Sequence, residues 1–235
     1  MSTLHDLLNN NAGDEEILSL IDAGTDVNEA SAEDCYIRPL QLAVNCKRSE
    51  TIIRALVNAG ADVNACATED DLTEGDREAV EDGMDMGEMF DYWSDLTPMW
   101  MAASNKDTAT IALLADLGAN ANLKCRCGTG DETAPIAATN DKDTLEALIK
   151  AGANVNLTYG DDAANKLDWD LEQLSAEALM TLLHAGAGIF GDSNPADRIN
   201  SYIENHPTAD GDLIRSLISS NSLEHFGYTP FGEGC

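Results

Sequence analysis

Apolar residues recur along the chain in short blocks at helical spacing. Ile52, Ile53, Leu56 and Val57 fall on one face of a helix, as do Leu145, Leu148 and Ile149, because residues three and four apart share a face. Five such blocks end alike: LIDAGTDVN (Leu20–Asn28), LVNAGADVN (Leu56–Asn64), LADLGANAN (Leu114–Asn122), LIKAGANVN (Leu148–Asn156) and LLHAGAGIF (Leu182–Phe190). Their glycines, Gly24, Gly60, Gly118, Gly152 and Gly186, stand 36, 58, 34 and 34 residues apart. Each is predicted to stop its helix, since only glycine adopts the left-handed cap cheaply. About twenty residues before each glycine a two-helix unit needs a second apolar block. Pro39-Leu40-Gln41-Leu42-Ala43-Val44 and Pro98-Met99-Trp100-Met101-Ala102-Ala103 supply it. Proline fits the first helical turn, and Thr97 is placed to cap it. Neither helix of a unit can bury its stripe alone, so neighbouring units must stack.

These residues resemble the ankyrin-repeat family. The resemblance rests on Arg38-Pro39-Leu40-Gln41-Leu42-Ala43, on Thr97-Pro98-Met99-Trp100-Met101-Ala102-Ala103 and on the five Leu-x-x-x-Gly-x-x-x-Asn-like endings, and it covers Leu4 to Phe190. It implies an all-α solenoid of stacked helix-turn-helix units with projecting fingers. It also implies that the fingers and first helices line a concave surface, the family's usual place for protein recognition. Departures are visible. Gln41 and Trp100 stand where the family usually has histidine. Thr133-Ala-Pro-Ile-Ala-Ala is shortened before its second helix, and Lys166-Leu-Asp-Trp-Asp-Leu lacks Thr-Pro.

The pattern divides the chain into an N-terminal capping repeat at 1–28, a repeat at 29–64, an insertion at 65–96, repeats at 97–190, C-terminal capping helices at 191–220 and a Gly/aromatic tail at 221–235. Leu4, Leu7, Leu8, Ile17, Leu18 and Leu20 supply the first cap. Asp14, Glu15 and Glu16 open its second helix, where the dipole favours acids. Leu213, Ile214, Leu217 and Ile218 are expected to face inward in the last cap. Glu224–Cys235 is expected to form a non-helical flap on the final repeat, with a disordered tail as the alternative.

The one long gap between glycines holds an acidic run. Twelve carboxylates lie between Glu69 and Asp95, with Arg77 the single cation. The run ends in Met84, Met86, Met89, Phe90, Tyr92 and Trp93. Net charge over the whole chain is −30, from 13 Lys+Arg and 43 Asp+Glu, so −19 remains outside the run. That balance opposes direct contact with nucleic acid or an anionic membrane and favours a partner with a basic surface. Solubility and high-salt adaptation are other readings of the same charge. Carboxylates alone do not offset ordering entropy. The Met-aromatic end either folds back on the protein's own repeats or anchors a partner within an acidic rim.

Candidate chemistry changes the picture little. His5, His184, His206 and His225 form no local signature with a nucleophile, and there is no glycine-rich phosphate loop. Cys125-Arg-Cys127 lacks two further zinc ligands. Asp70–Glu81 has the Asp, Gly and Glu of a calcium loop, but Leu72 and Arg77 occupy positions that weaken it. Carboxylate pairs such as Asp131-Glu132 and Asp161-Asp162 are expected at exposed loop tips. No enzyme activity, metal or cofactor is expected. Met1–Asn11 has neither a basic start nor an apolar core, no apolar span long enough for a membrane occurs, and no second domain is seen. A cytoplasmic protein with reduced cysteines, monomeric when free, is expected. Delivery into a host cell stays open.

The leading expectation is a protein-binding module that occludes, and so inhibits, a basic partner. Asp82, Asp85, Glu88, Asp91 and Asp95 would supply charge. Met86, Phe90, Tyr92 and Trp93 would anchor, with Trp100 on the adjoining wall. Mimicry of nucleic acid toward a nuclease or other DNA-handling protein, and a scaffold or host-directed effector, are the alternatives.

Overall fold

The computed structural model describes residues 3–10, 12–31, 36–66, 73–75, 78, 96–126, 132–159, 164–189 and 195–226. Within them the chain folds as paired helices. The first unit is α1 (Leu4–Asn9) and α2 (Asp14–Asp22), the second α3 (Pro39–Asn45) and α4 (Glu50–Asn58), and the third α5 (Pro98–Ser104) and α6 (Thr108–Asp116). In the fourth, a 3-10 turn over Pro135–Ala138 replaces the first helix and precedes α7 (Lys142–Lys150). The fifth has α8 (Lys166–Asp170), a 3-10 turn at Leu171–Gln173 and α9 (Ala176–His184). A last pair, α10 (Pro195–Asn205) and α11 (Gly211–Phe226), closes the array. A short antiparallel ribbon pairs Cys125 with Thr133 and Arg126 with Glu132.

Local chemistry sets these boundaries. Side chains of Thr3, Ser49, Thr97, Asp107, Asp141, Asn165 and Ser175 accept backbone N–H bonds at the starts of α1, α4, α5, α6, α7, α8 and α9. That satisfies donors a helix cannot satisfy itself. Every second helix from α2 to α9 runs into its glycine in the left-handed region, with φ of 83° to 101°. The glycine caps are therefore present at all five predicted positions.

Apolar stripes from both rows of helices meet in one continuous core. In the first row, α1 packs on α3, α3 on α5, and α5 on the Pro135–Ala138 turn. In the second, α2 packs on α4, α6 on α7, α7 on α9, and α9 on α11. Leu8, Ile17, Ile52, Leu56, Ile111, Leu114, Leu145, Leu148, Leu179 and Leu182 are essentially inaccessible, as the sequence spacing requires. The direct α3–α5 contact matters most for function, because the acidic run lies between these helices in sequence.

Two sets of polar bonds repeat from unit to unit. At the base of each unit the closing asparagine reaches the next one. Asn28 Nδ2 donates to Gly60 O at 2.8 Å, and its Oδ1 accepts from Asp62 N at 2.9 Å. Asn122 does the same with Gly152 O (2.8 Å) and Asn154 N (2.6 Å). Asn156 follows with Gly186 O and Gly188 N, both at 2.9 Å. Asn64 Oδ1 accepts from Asn120 N at 2.8 Å, across the acidic run. Each asparagine is itself oriented by an Asp or Asn two residues earlier, whose side chain accepts its N–H.

The second set begins in the first helices. His5 Nε2 bonds with Ile37 O at 3.0 Å, and Gln41 Nε2 donates to Leu96 O at 2.8 Å. Both acceptors directly precede the N-cap of the next unit's first helix. Gln41 thus performs the same linkage as His5 and, like Asn64, spans the run.

The ends depart from expectation in two ways. Ile214 and Ile218 are buried as predicted, but Leu213 is 40% exposed. The buried stripe on α11 is Ile214, Ile218 and Asn221, whose Nδ2 bonds to Leu183 O and Ala187 O at the end of α9. Among the described residues no further unit covers the other flank. The same helix runs through Phe226, past the predicted end at 220, so Glu224–Phe226 are helical rather than part of a flap. The rest of that tail, and Phe190, lie outside the described residues.

Asp141 generates a pH prediction. Its carboxylate accepts from Thr144 Oγ1 (2.7 Å) and Thr144 N (3.1 Å), with Lys106 Nζ 3.8 Å away. The Thr144 bonds, hydroxyl first, hold its pKa below the ordinary carboxylate value. A depressed acid contributes stability fully above its unfolded pKa of about 4 and loses it as pH falls through the lower folded value. Asp141→Ala is expected to cost about 1 kcal/mol at pH 7. That cost should shrink as urea titrations move from pH 5 to pH 2; a constant cost would show that the charge contributes nothing.

Candidate protein-interaction surface

Of the residues expected to meet a partner, Asp82, Asp85, Met86, Glu88, Phe90, Asp91, Tyr92, Trp93 and Asp95 lie outside the described residues. The run's described part is Thr73–Gly75 and Glu78, all exposed. Thr73 N donates to the hydroxyl of Tyr36 at 3.3 Å. Tyr36 is buried, in the left-handed region at φ 66°, in the loop joining the first two units. That loop is closed by a bridge between Ser31 and Ile37. The start of the acidic run is thus held beside the neighbouring loop.

Trp100 needs correction. It is only 6% exposed, and its indole Nε1–H donates to Thr133 Oγ1 at 3.2 Å. Thr133 stands just before the start of the next unit's first turn, the position that Ile37 and Leu96 hold in the earlier units. Trp100 therefore continues the unit-to-unit linkage made by His5 and Gln41, with an N–H donor in place of imidazole or amide. Its ring fills the core instead of lining an open wall.

Electrostatics favour an outward negative field, because most of the described cations are engaged internally. Arg48 donates to the carbonyls of Leu7, Leu8 and Ala12, closing the end of α1. Arg38 Nη1 donates to Asn28 O at 2.8 Å. Arg54, Lys142 and Arg215 pair with Glu50, Glu146 and Asp212 on their own helices. Arg198 holds Glu172 through Nε (2.9 Å) and Nη2 (3.0 Å), and Asp168 O through Nη1 (2.8 Å). Carboxylates outnumber these cations more than threefold across the chain, so most face water or a visitor unpaired.

The fifth unit places unusual polarity in the first row. Lys166, at 1% exposure, occupies the position of Pro39 and Pro98. Its Nζ donates to Asp170 Oδ2 at 2.8 Å. Burial pulls the Lys166 amine below its ordinary pKa, while Asp170 works against that shift. Nearby Tyr159 is buried and its hydroxyl has no hydrogen-bond partner among the described residues. Burial first, then the fields of Asp170 and Asp168, push its pKa upward. In the last pair, Tyr202 stacks on His206 with ring centroids 4.0 Å apart and donates to Leu174 O; burial raises its pKa too.

Along the second row, a shallow groove of about 580 Å³ lies between α6 and α7. Ala112, Ala115 and Ala147 line it together with Asp116, Asp143, Glu146 and Lys150. Among the described residues no group of three or more His, Cys, Asp or Glu is placed to hold a metal ion. Cys125 is buried with its thiol toward Thr133 O; Cys127 and most of Asp70–Glu81 lie outside the described residues. No helix among the described residues is long and apolar enough to cross a membrane.

Sequence reasoning missed three features: the coupling role of His5, the burial of Lys166 and the exposure of Trp169. The first was obscured by register, since His5 stands two residues after its N-cap and Gln41 and Trp100 three after theirs. The other two residues sit on a first helix that lacks the proline of α3 and α5.

The Ankyrin repeat family matches residues 38–68, which span α3, α4, Gly60 and Asn64. No curated protein matches the chain.

Trp100→Phe keeps an aromatic ring but removes the donor to Thr133. It is expected to lower unfolding free energy by about 1–2 kcal/mol and to leave partner affinity within about twofold. Unchanged stability in denaturant titration with a tenfold loss of affinity would return Trp100 to the contact surface.

Proposed function

We propose that this chain, whose residues 38–68 match the Ankyrin repeat family and whose other units repeat the same helix pair, binds a partner with a basic surface, without catalysis, and inhibits that partner by covering it. Ankyrin repeats are protein–protein interaction modules; the polarity of the partner and the inhibitory outcome are the proposal. The observation that carries it is the continuity of the stack across the acidic run. Asn64 reaches Asn120 and Gln41 reaches Leu96, so the units on either side meet through the first-helix bond and one of the two asparagine bonds used elsewhere. A segment that the array does not need for its own registry, yet concentrates twelve carboxylates and a Met-aromatic cluster, fits a recognition element.

In this reading Asp82, Asp85, Glu88, Asp91 and Asp95 steer and rim the contact, while Met86, Phe90, Tyr92 and Trp93 fill a pocket on the partner. Trp100 supports the adjoining wall from beneath. Internal use of the cations supports the same polarity. The array would act by occupying a surface and would work as a monomer within the cell. Mimicry of nucleic acid is a narrower form of the proposal, supported by charge alone.

Affinity capture with the intact chain, compared with a chain whose residues 67–95 are replaced by a Gly/Ser linker, tests the proposal. The replaced chain should keep its helical signal and lose the partner. Reversing Asp82, Asp85, Glu88 and Asp91 to lysine should slow association at least about tenfold, with a smaller change in dissociation. Binding of the wild type should weaken steeply with salt. Salt-insensitive binding contradicts the proposal. Competition by duplex DNA for the captured partner identifies mimicry, and a captured partner that keeps full activity excludes inhibition.

A further inference from the structure

Counting from each N-cap, the fourth residue after it is a core position in the second and third units. Leu42 and Met101 occupy it at 4% and 0% exposure. In the fifth unit the N-cap is Asn165, and the same position holds Trp169 at 46% exposure. The fold's own packing covers only about half of this residue. A tryptophan left in water forgoes a large burial gain, and such rings are characteristic anchors at protein interfaces.

The ring's surroundings specify what it fits. Asp168 and Asp170 flank it in sequence, and both carboxylates are held by the short helix. Asp168 Oδ2 accepts from Asn165 N at 2.9 Å, and Asp170 Oδ2 accepts from Lys166 Nζ at 2.8 Å. Glu172, one turn on, is engaged by Arg198. The buried hydroxyl of Tyr159, which has no hydrogen-bond partner among the described residues, lies within the fields of Asp168 and Asp170.

We propose that Trp169, framed by Asp168 and Asp170, is a docking point for an arginine or lysine side chain of a protein partner, separate from the acidic run. A cation over an indole face gains from the ring's quadrupole, and the surrounding negative field strengthens that gain. A second copy of this chain is the wrong occupant, because each copy carries −30 and would be repelled. The proposal rests on the basic-partner reading and adds a second point of contact, more than seventy residues along the chain from the run.

The test uses the full chain carrying Trp93→Phe, so that the remaining tryptophans are the buried Trp100 and the exposed Trp169. The probe is acetyl-hexa-arginine amide, with a neutral alternating Gln/Leu hexapeptide as control. Hexa-arginine should blue-shift the emission and shield it from acrylamide, and the neutral peptide should not. Trp169→Ala, which leaves net charge unchanged, should weaken hexa-arginine binding about 3- to 20-fold at constant salt, with unchanged helical signal. Absence of shielding, equal shielding by the neutral peptide, or undiminished affinity of Trp169→Ala each overturns the proposal. The same titration with Asp82, Asp85, Glu88, Asp91 and Asp95 changed to Asn or Gln should still shield Trp169. If shielding disappears there, Trp169 is not a separate point and the proposal falls while the reading of the run stands. If those changes leave partner capture intact and Trp169 stays shielded, the reading of the run falls alone.

Discussion

The structure depends on a side-chain amide that belongs to one repeat and satisfies the backbone of the next. Asn28, Asn122 and Asn156 each give an N–H to a glycine carbonyl and take an N–H from two residues beyond it. A glycine in the left-handed region turns its neighbouring peptide groups out of the helix, where they would go unbonded. The asparagine of the previous unit meets that need. Each bond is worth on the order of 1 kcal/mol net, but its greater effect is on register. A shift of one residue would leave both a carbonyl and an N–H unpaired at each of these three interfaces.

This constraint explains how a repeat protein can hold a long acidic segment without losing its stack. Helices α3 and α5 pack together, Gln41 reaches Leu96 and Asn64 reaches Asn120. Growth of a loop costs only logarithmically in chain entropy, so the array tolerates the segment as long as the bonds beneath it close. Scarcity of cations completes the design. Arg38 and Arg48 are spent on backbone carbonyls and Lys166 on a buried pair, leaving the acidic surface with little internal neutralisation.

Most of the fold was legible from residue patterns, because the repeated glycines, the Pro-led first helices and the apolar spacing are local devices. All five glycines take the predicted cap conformation. Chemistry that acts between units was less legible. The recurrence of asparagine was visible, but its bonds to the next unit required the stack. Trp100 resembled an exposed anchor because its position carries a polar residue in the family; the indole N–H does the same linking work from a buried ring. Leu213 and Ile214 are adjacent, and spacing alone could not decide which stripe the last helix turns toward α9. Trp169 was read as a degenerate repeat position, and its exposure emerges only by comparison with the buried Leu42 and Met101.

Native-state amide hydrogen exchange at the four rungs of the ladder tests most directly whether the array runs unbroken beneath the acidic segment. Asn120 N–H should be protected to within about tenfold of Asn154 N–H, since both donate to the asparagine of the preceding unit and protection reports the opening of that bond. An Asn120 amide that exchanges at the rate of an open loop, while Asp62, Asn154 and Gly188 remain protected, would contradict the continuous stack.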